Sequence, residues 1–170
     1  VRWLEADLGG GRAAFTTRVG GVSEAPFHSL NLGLLTDDAD AAVAENRRRL
    51  AAALGFSPER IAFARQVHGA ELIIQPSPSP STPEADGHVV SRPGTAALVF
   101  AADCLPVALS GPGGVAMLHC GWRGLAAGIV AAGAEAVGAT DAAIGPGIGP
   151  CCYEVGEEVL SAFSGLGDGR

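Results

Sequence analysis

Two histidines and a cysteine stand at the ends of apolar segments: His68 in QVHG, Cys104 in ADCLP and His119 in HCGWRG. Loops at the ends of buried strands present side chains, while the strands hold them still. Neutral imidazole nitrogens and a thiolate form a three-ligand set, and three such ligands with an open fourth position is the pattern of a catalytic zinc that acidifies a water. The same residues admit a second chemistry, in which Cys104 is a nucleophile and His119 takes its proton. The ligands lie far apart along the chain and match no short local zinc motif, so spacing leaves both readings open. A cytidine-deaminase centre is excluded. Its signature needs a Glu two residues after the His, and His119 is followed by Cys120 and Gly121.

Around these residues lie candidate substrate contacts. Arg18 in TTRVGG and Arg123 in GWRG sit beside glycines that let backbone approach a ligand, and the guanidinium fork suits a phosphate or carboxylate. Asp103, next to Cys104, can orient an imidazole or accept from a ligand hydroxyl. Asn31 and Asn46 can serve backbone groups or a ligand, and Trp122 can pack in a core or stack on a purine. His28 and His88 carry no signal, and Cys151 and Cys152 in GPCCYEV read as structural thiols.

The bulk properties narrow the classes. The chain has 170 residues, of which 48% are hydrophobic and 17% charged, enough for one domain with its own core. A net charge of −7, with no basic cluster beyond Arg47–Arg49, disfavours nucleic acid. No apolar run approaches the ~20 residues that span a bilayer, and VRWLEADLGG has no signal-peptide pattern. The expectation is a cytoplasmic protein with reduced thiols, since a bridge between the adjacent Cys151 and Cys152 would be strained.

The elements that must position the candidates follow from periodicity. A strand-like start and the turn DLGGG lead into RAAFTTR. The clearest helix has Asp37 or Asp38 as its cap, Val43, Leu50 and Leu54 on one face, and Gly55 as its stop. Within it Arg47–Arg49 read as a solvated face. RIAFARQVHGAELIIQ predicts two strands joined as a hairpin at His68-Gly69, and PSPSPSTPEADG an exposed loop. The runs HVVS, TAALVFAAD, LPVALS and GVAMLHC read as strands buried on both faces. RGLAAGIVAAGAEAVGA predicts one helix able to pack closely through its glycines. AAIGPGIGPCCYEV predicts a strand and turn, and GEEVLSAFSGLG a final amphipathic helix. Together these make a mixed α/β (α+β) chain.

FTTRVGGVSEAPFHSLNLG, AVAENRRRLAAALG, QVHGAEL, ADCLPVAL, HCGWRGLAAGIV and AIGPGIGPCCYEVGEEV occur in this order. Together they closely resemble the bacterial purine nucleoside phosphorylase family, also called the laccase-domain, multicopper polyphenol oxidase or peptidoglycan editing factor family. The resemblance runs from about Phe15 to Phe163. It implies mixed β-sheets sandwiched between helices, as in cytotoxic-necrotizing-factor-like cysteine hydrolases. It also implies that His68, Cys104 and His119 are the catalytic residues and bind zinc, or copper in oxidase members. The implied activity is phosphorolysis of adenosine, inosine and methylthioadenosine to base and ribose 1-phosphate, with deamination of adenosine. Arg18, Asn46, Asp103 and Arg123 are then the substrate-binding candidates, for purine nucleosides and phosphate, in a monomer or small homo-oligomer.

The implied alternatives are a copper-dependent polyphenol oxidase and a Cys104 amidase that edits peptidoglycan precursors. Four histidines are few for a multicopper oxidase. The family motif reads HAGWRG where this chain has Cys120 in place of Ala, and family chains continue past SGLGDGR. The expectation is therefore one catalytic domain, residues 1–170, without the family's C-terminal segment.

Overall fold

The segments LPVALSG and GVAMLHC are separated by a Pro-Gly turn, and in the computed structural model they pair antiparallel as β7 (Leu105–Gly111) and β8 (Gly114–Cys120). The structure describes residues 1–33, 35–74 and 83–166. β5 (Gly87–Val90) pairs antiparallel with the other edge of β8, and β4 (Leu72–Ile74) pairs parallel with β5. β9 (Asp141–Ile144) pairs antiparallel with β7, giving a five-stranded mixed sheet of order β4-β5-β8-β7-β9.

Side-chain alternation divides this sheet into two faces. Val89, Val107, Leu109, Ala116, Leu118 and Cys120 pack against Ile129 and Val137 of α3 (Ile129–Val137). A Cβ at Gly133 would lie 2.8 Å from Leu118, so glycine there lets the helix sit close to the sheet. On the opposite face Ala108, Met117 and Ala143 meet Leu8, Ala13 and Phe15 of an antiparallel hairpin, β1 (Trp3–Asp7) and β2 (Arg12–Thr16). The chain is mixed α/β, as expected, with helix on one face of the main sheet and hairpin on the other.

Helix α1 (Asp40–Leu54) buries Val43, Asn46 and Leu50, and Gly55 ends it at φ 76°. Ala39 occupies its N-cap without a side-chain bond. Asp38 is engaged elsewhere, accepting from Ser23 Oγ at 2.6 Å and Asn31 Nδ2 at 3.0 Å. The arginine triplet splits. Arg48 and Arg49 pair with Glu45 on the outer surface, whereas Arg47 turns inward over Phe63 and Phe100, 4.7 and 4.9 Å from the ring centroids.

Several local expectations give way to longer-range pairing. The hairpin at His68-Gly69 does not form: β3 (Ile61–Ala62) pairs parallel with β6 (Ala96–Ala97), and β4 joins the main sheet. Within TAALVFAAD only β6 is strand. The backbone of Phe100 instead bonds Gln66, its N–H donating to Oε1 at 2.6 Å and its carbonyl accepting from Nε2 at 2.7 Å. The single helix read after HCG is broken at Gly128, φ 87°, into α2 (Trp122–Ala126) and α3. The final helix is short, α4 (Glu157–Ala162), and none of its residues is buried. Most of the Pro/Ser loop, residues 75–82, lies outside the described residues. No described helix is long and apolar enough to cross a membrane.

Candidate metal centre

Asp86 stands just before β5 and opposite His119 at the end of β8, the His119 N–H donating to the Asp86 carbonyl at 2.7 Å. Cross-strand neighbours share a face, so the two side chains meet. His119 Nδ1 lies 2.8 Å from Asp86 Oδ1. The Asp86 carboxylate also accepts the backbone N–H groups of Val67 at 3.1 Å, His68 at 2.9 Å and Gly69 at 2.8 Å. His68 is held there with φ 60°, a left-handed conformation rare for a residue with a Cβ. One wholly buried carboxylate thus fixes the His119 ring and the backbone of His68. Burial opposes its charge, but the bond from His119 and those from Gly69, Val67 and His68 outweigh it and hold Asp86 below the usual carboxylate value.

Cys104 completes the arrangement from the segment that leads into β7. One ligand atom each from His68, Cys104 and His119 lie within 4.8 Å of one another. Ligands around a tetrahedral ion at ~2.0–2.3 Å stand roughly 3–4 Å apart. The imidazole rings meet edge to face with centroids 4.8 Å apart. Because Nδ1 of His119 is engaged by Asp86, Nε2 carries the free lone pair, the arrangement that orients metal-bound histidines. Burial, then the carboxylates of Asp103 and Asp86, push the Cys104 thiol up from its ordinary value. A divalent cation held by these residues would supply the opposite field and favour the thiolate. The donor set therefore fits a borderline or soft metal ion.

The glycines of HCGWRG explain how the set is assembled. A Cβ at Gly121 would lie 3.0 Å from His68 Cδ2 and 3.2 Å from Cys104 Sγ, and one at Gly124 would lie 2.5 Å from the Gly69 carbonyl oxygen. Both positions let the QVHG turn close over the start of α2. Cys120 points to the other face of β8, into the core below α3, where burial raises its thiol to about 12.

His68, Cys104 and His119 open onto a cleft of about 1300 Å³, whose walls include Arg18, Gln66 and Asp103. Arg18 donates from Nε to the His28 carbonyl at 2.7 Å. Two candidates lie elsewhere. Asn46 is wholly buried; its amide donates to Ser23 Oγ and the Asn31 carbonyl and accepts from Val22 N–H, so it anchors the loop before α1. Arg123 is exposed and stacks over Trp122 at 4.2 Å, away from the residues that line the cleft. Asp86 and Gln66 escaped sequence reasoning. The only signal for Asp86 was a carboxylate in EADGH at the entry to a buried strand, hidden by its place at the end of a Pro/Ser loop.

The family model for multi-copper polyphenol oxidoreductase laccase matches residues 12–168. A Pseudomonas aeruginosa protein named purine nucleoside phosphorylase is 45% identical over 158 residues, covering 89% of this chain and 63% of the relative. An Escherichia coli protein of the same name is 42% identical over 157 residues, covering 89% and 64%. The chain thus spans less than two thirds of the length of these relatives. Among solved structures, the YlmD protein of Geobacillus stearothermophilus superposes with a TM-score of 0.81 at 36% identity, covering 92% of this chain and 65% of that one. A Neisseria meningitidis protein superposes at 0.85 and 34% identity, covering 95% and 69%. With the match running from β2 almost to the last residue, the chain belongs to the multi-copper polyphenol oxidoreductase laccase family.

Proposed function

We propose that this chain carries the metal centre of a zinc-dependent purine nucleoside phosphorylase, with adenosine deamination as a second activity. The observation that carries the reading is the convergence of His68, Cys104 and His119 over the Asp86 carboxylate at the wall of an open cleft. The relatives named purine nucleoside phosphorylase supply the substrate class. Adenosine, inosine and methylthioadenosine are the proposed nucleosides and phosphate the co-substrate, giving free base and ribose 1-phosphate. The deamination converts adenosine and water to inosine and ammonia.

When bound, zinc supplies Lewis acidity and lowers the pKa of a coordinated water to about 7. The protein's own groups do the rest. Asp86 holds the His119 tautomer and ring and the backbone of the His68 turn, so that neither has to reorganise. Arg18, with Nε tied to the His28 carbonyl, offers its remaining N–H groups to a phosphate at the cleft wall. Asp103, on the same wall beside Cys104, accepts from a ribose hydroxyl.

One ligand group of three converges among the described residues. That favours a single ion over the several sites a multicopper oxidase needs. For a Cys104 amidase the upward-shifted thiol is a poor starting nucleophile. The test is incubation of zinc-loaded protein with adenosine and phosphate, with adenine, ribose 1-phosphate and inosine followed by chromatography. Phosphate-dependent adenine release is expected to fall by at least ~100-fold in Cys104→Ala. Formation of neither adenine nor inosine by the zinc-loaded protein overturns the reading.

A further inference from the structure

Outside the metal centre, two free thiols stand side by side in the adjacent pair Cys151 and Cys152. Neighbouring residues of a strand point to opposite faces, yet here the two Sγ atoms stand 3.3 Å apart. The turn that follows β9 causes this. The N–H groups of Cys152 and Tyr153 both donate to the Gly149 carbonyl, at 3.0 and 3.2 Å, and fold the backbone so that the two side chains share one side. Both thiols are exposed and unbridged.

The turn is also tethered. Gly145 N–H donates to the Pro106 carbonyl at 2.8 Å and Ile148 N–H to the Asp103 carbonyl at 2.8 Å. A Cβ at Gly147 would lie 2.7 Å from Leu105 Cδ2, so this stretch lies flat on the start of β7. The backbone leading to the paired thiols is thus held before any ligand arrives, which removes part of the ordering cost of chelation.

We propose that Cys151 and Cys152 form a surface dithiol site for thiophilic cations and metalloids, separate from the His68–Cys104–His119 centre. Two sulfur donors with no nitrogen or carboxylate among them select the softest ions, whereas the His₂Cys set takes borderline ones. A trivalent arsenical is the matching ligand class, because it takes two thiolates at a narrow angle. With phenylarsine oxide the reaction balances without a redox change. Two S–H bonds and the arsenic–oxygen bond break, two As–S bonds form, and both protons leave with the oxygen as one water.

The test is titration of the purified protein with phenylarsine oxide, followed by intact mass and by counting the remaining reactive thiols. One phenylarsenic group per chain, with loss of two thiols, is expected. Cys151→Ser and Cys152→Ser should each weaken binding by about a hundredfold, the usual gain from a second tethered donor. Neither side chain is buried, so both variants keep the fold, which circular dichroism checks. Cys104→Ser should bind the arsenical as wild type does. Unweakened binding by either single variant, or loss of binding with Cys104→Ser, overturns the proposal. So does failure of the wild-type protein to take up one group per chain.

Discussion

Asp86 and His88 lie two residues apart, opposite His119 and Met117 on one side of the sheet, and both are buried to within about 1%. Their surroundings are opposite. Asp86 accepts from His119 and from three backbone N–H groups, while the Nδ1 of His88 has no hydrogen-bond partner among the described residues. A buried polar group without a partner costs about 1–3 kcal/mol. A buried charge is tolerated only when its hydrogen bonds are made. The same depth in the same sheet therefore holds one group that organises its neighbours and one whose unpaired ring nitrogen subtracts from stability. What separates them is position along the strand. Asp86 sits at the end, where the turn 67–69 can offer its N–H groups, whereas His88 sits within the ladder, where backbone groups are already paired.

Removing the saturated partner should have the largest effect. Asp86→Ala leaves three N–H groups and His119 Nδ1 facing an empty site, so the chain should lose about 3–5 kcal/mol of unfolding free energy. Urea titration of the metal-free protein measures this. Asp86→Asn keeps acceptor oxygen but no charge. It should lower zinc affinity by about 10–100-fold in a chelator competition. Wild-type stability in Asp86→Ala would show that the turn 67–69 holds itself, and the comparison would collapse.

His88 should respond to acid in its own window. Its folded-state pKa is lowered by burial to about 4, against about 6.5 in the unfolded chain. As pH falls, the unfolded state takes the proton first. Stability is therefore lost between about pH 6.5 and 4, by about 3 kcal/mol in all. Asp86 behaves differently. Its folded value is depressed, so its contribution is present above the unfolded value of about 4 and is lost only as pH falls further. Unfolding free energies measured from pH 7 to 4 should flatten in His88→Leu by that ~3 kcal/mol, with zinc affinity at pH 7 unchanged. An unaltered pH profile would mean that His88 is not the group that titrates.

These contrasts mark how far the sequence could be read. β7 and β8 were legible because short apolar runs bounded by Gly, Pro and Asp favour buried strands, a rule that failed for TAALVFAAD, and α1 because its apolar period and Gly55 agree. His68, Cys104 and His119 were legible as polar residues at the ends of such runs; their convergence on one ion was one of two readings the residues left open, and the family resemblance favoured it. The hairpin at His68-Gly69 was misread because β3 and β4 find parallel partners distant in sequence. Asp86 was missed for a related reason. A carboxylate that collects N–H groups from another segment looks, in sequence, like any loop aspartate. Asn46 and Arg123 illustrate the converse, polar residues whose partners lie in the protein's own scaffold.

The smallest effect belongs to Cys120, beside His119 in sequence and opposite to it in space. Strand alternation turns its thiol into the core with Leu118 and Ile129, while His119 faces Asp86. A group there contributes packing and nothing to the ligand set. Cys120→Ala should therefore cost about 1 kcal/mol for the small cavity it leaves. Zinc stoichiometry and affinity should stay at wild-type values in metal analysis and chelator competition. Cys104→Ala reverses the pattern, with a large loss of metal and a small loss of stability, because Cys104 lies half-buried at the cleft wall. If Cys120→Ala also released the metal, the division of β8 into a ligand face and a core face would be wrong, and with it the assignment of His119 to Asp86.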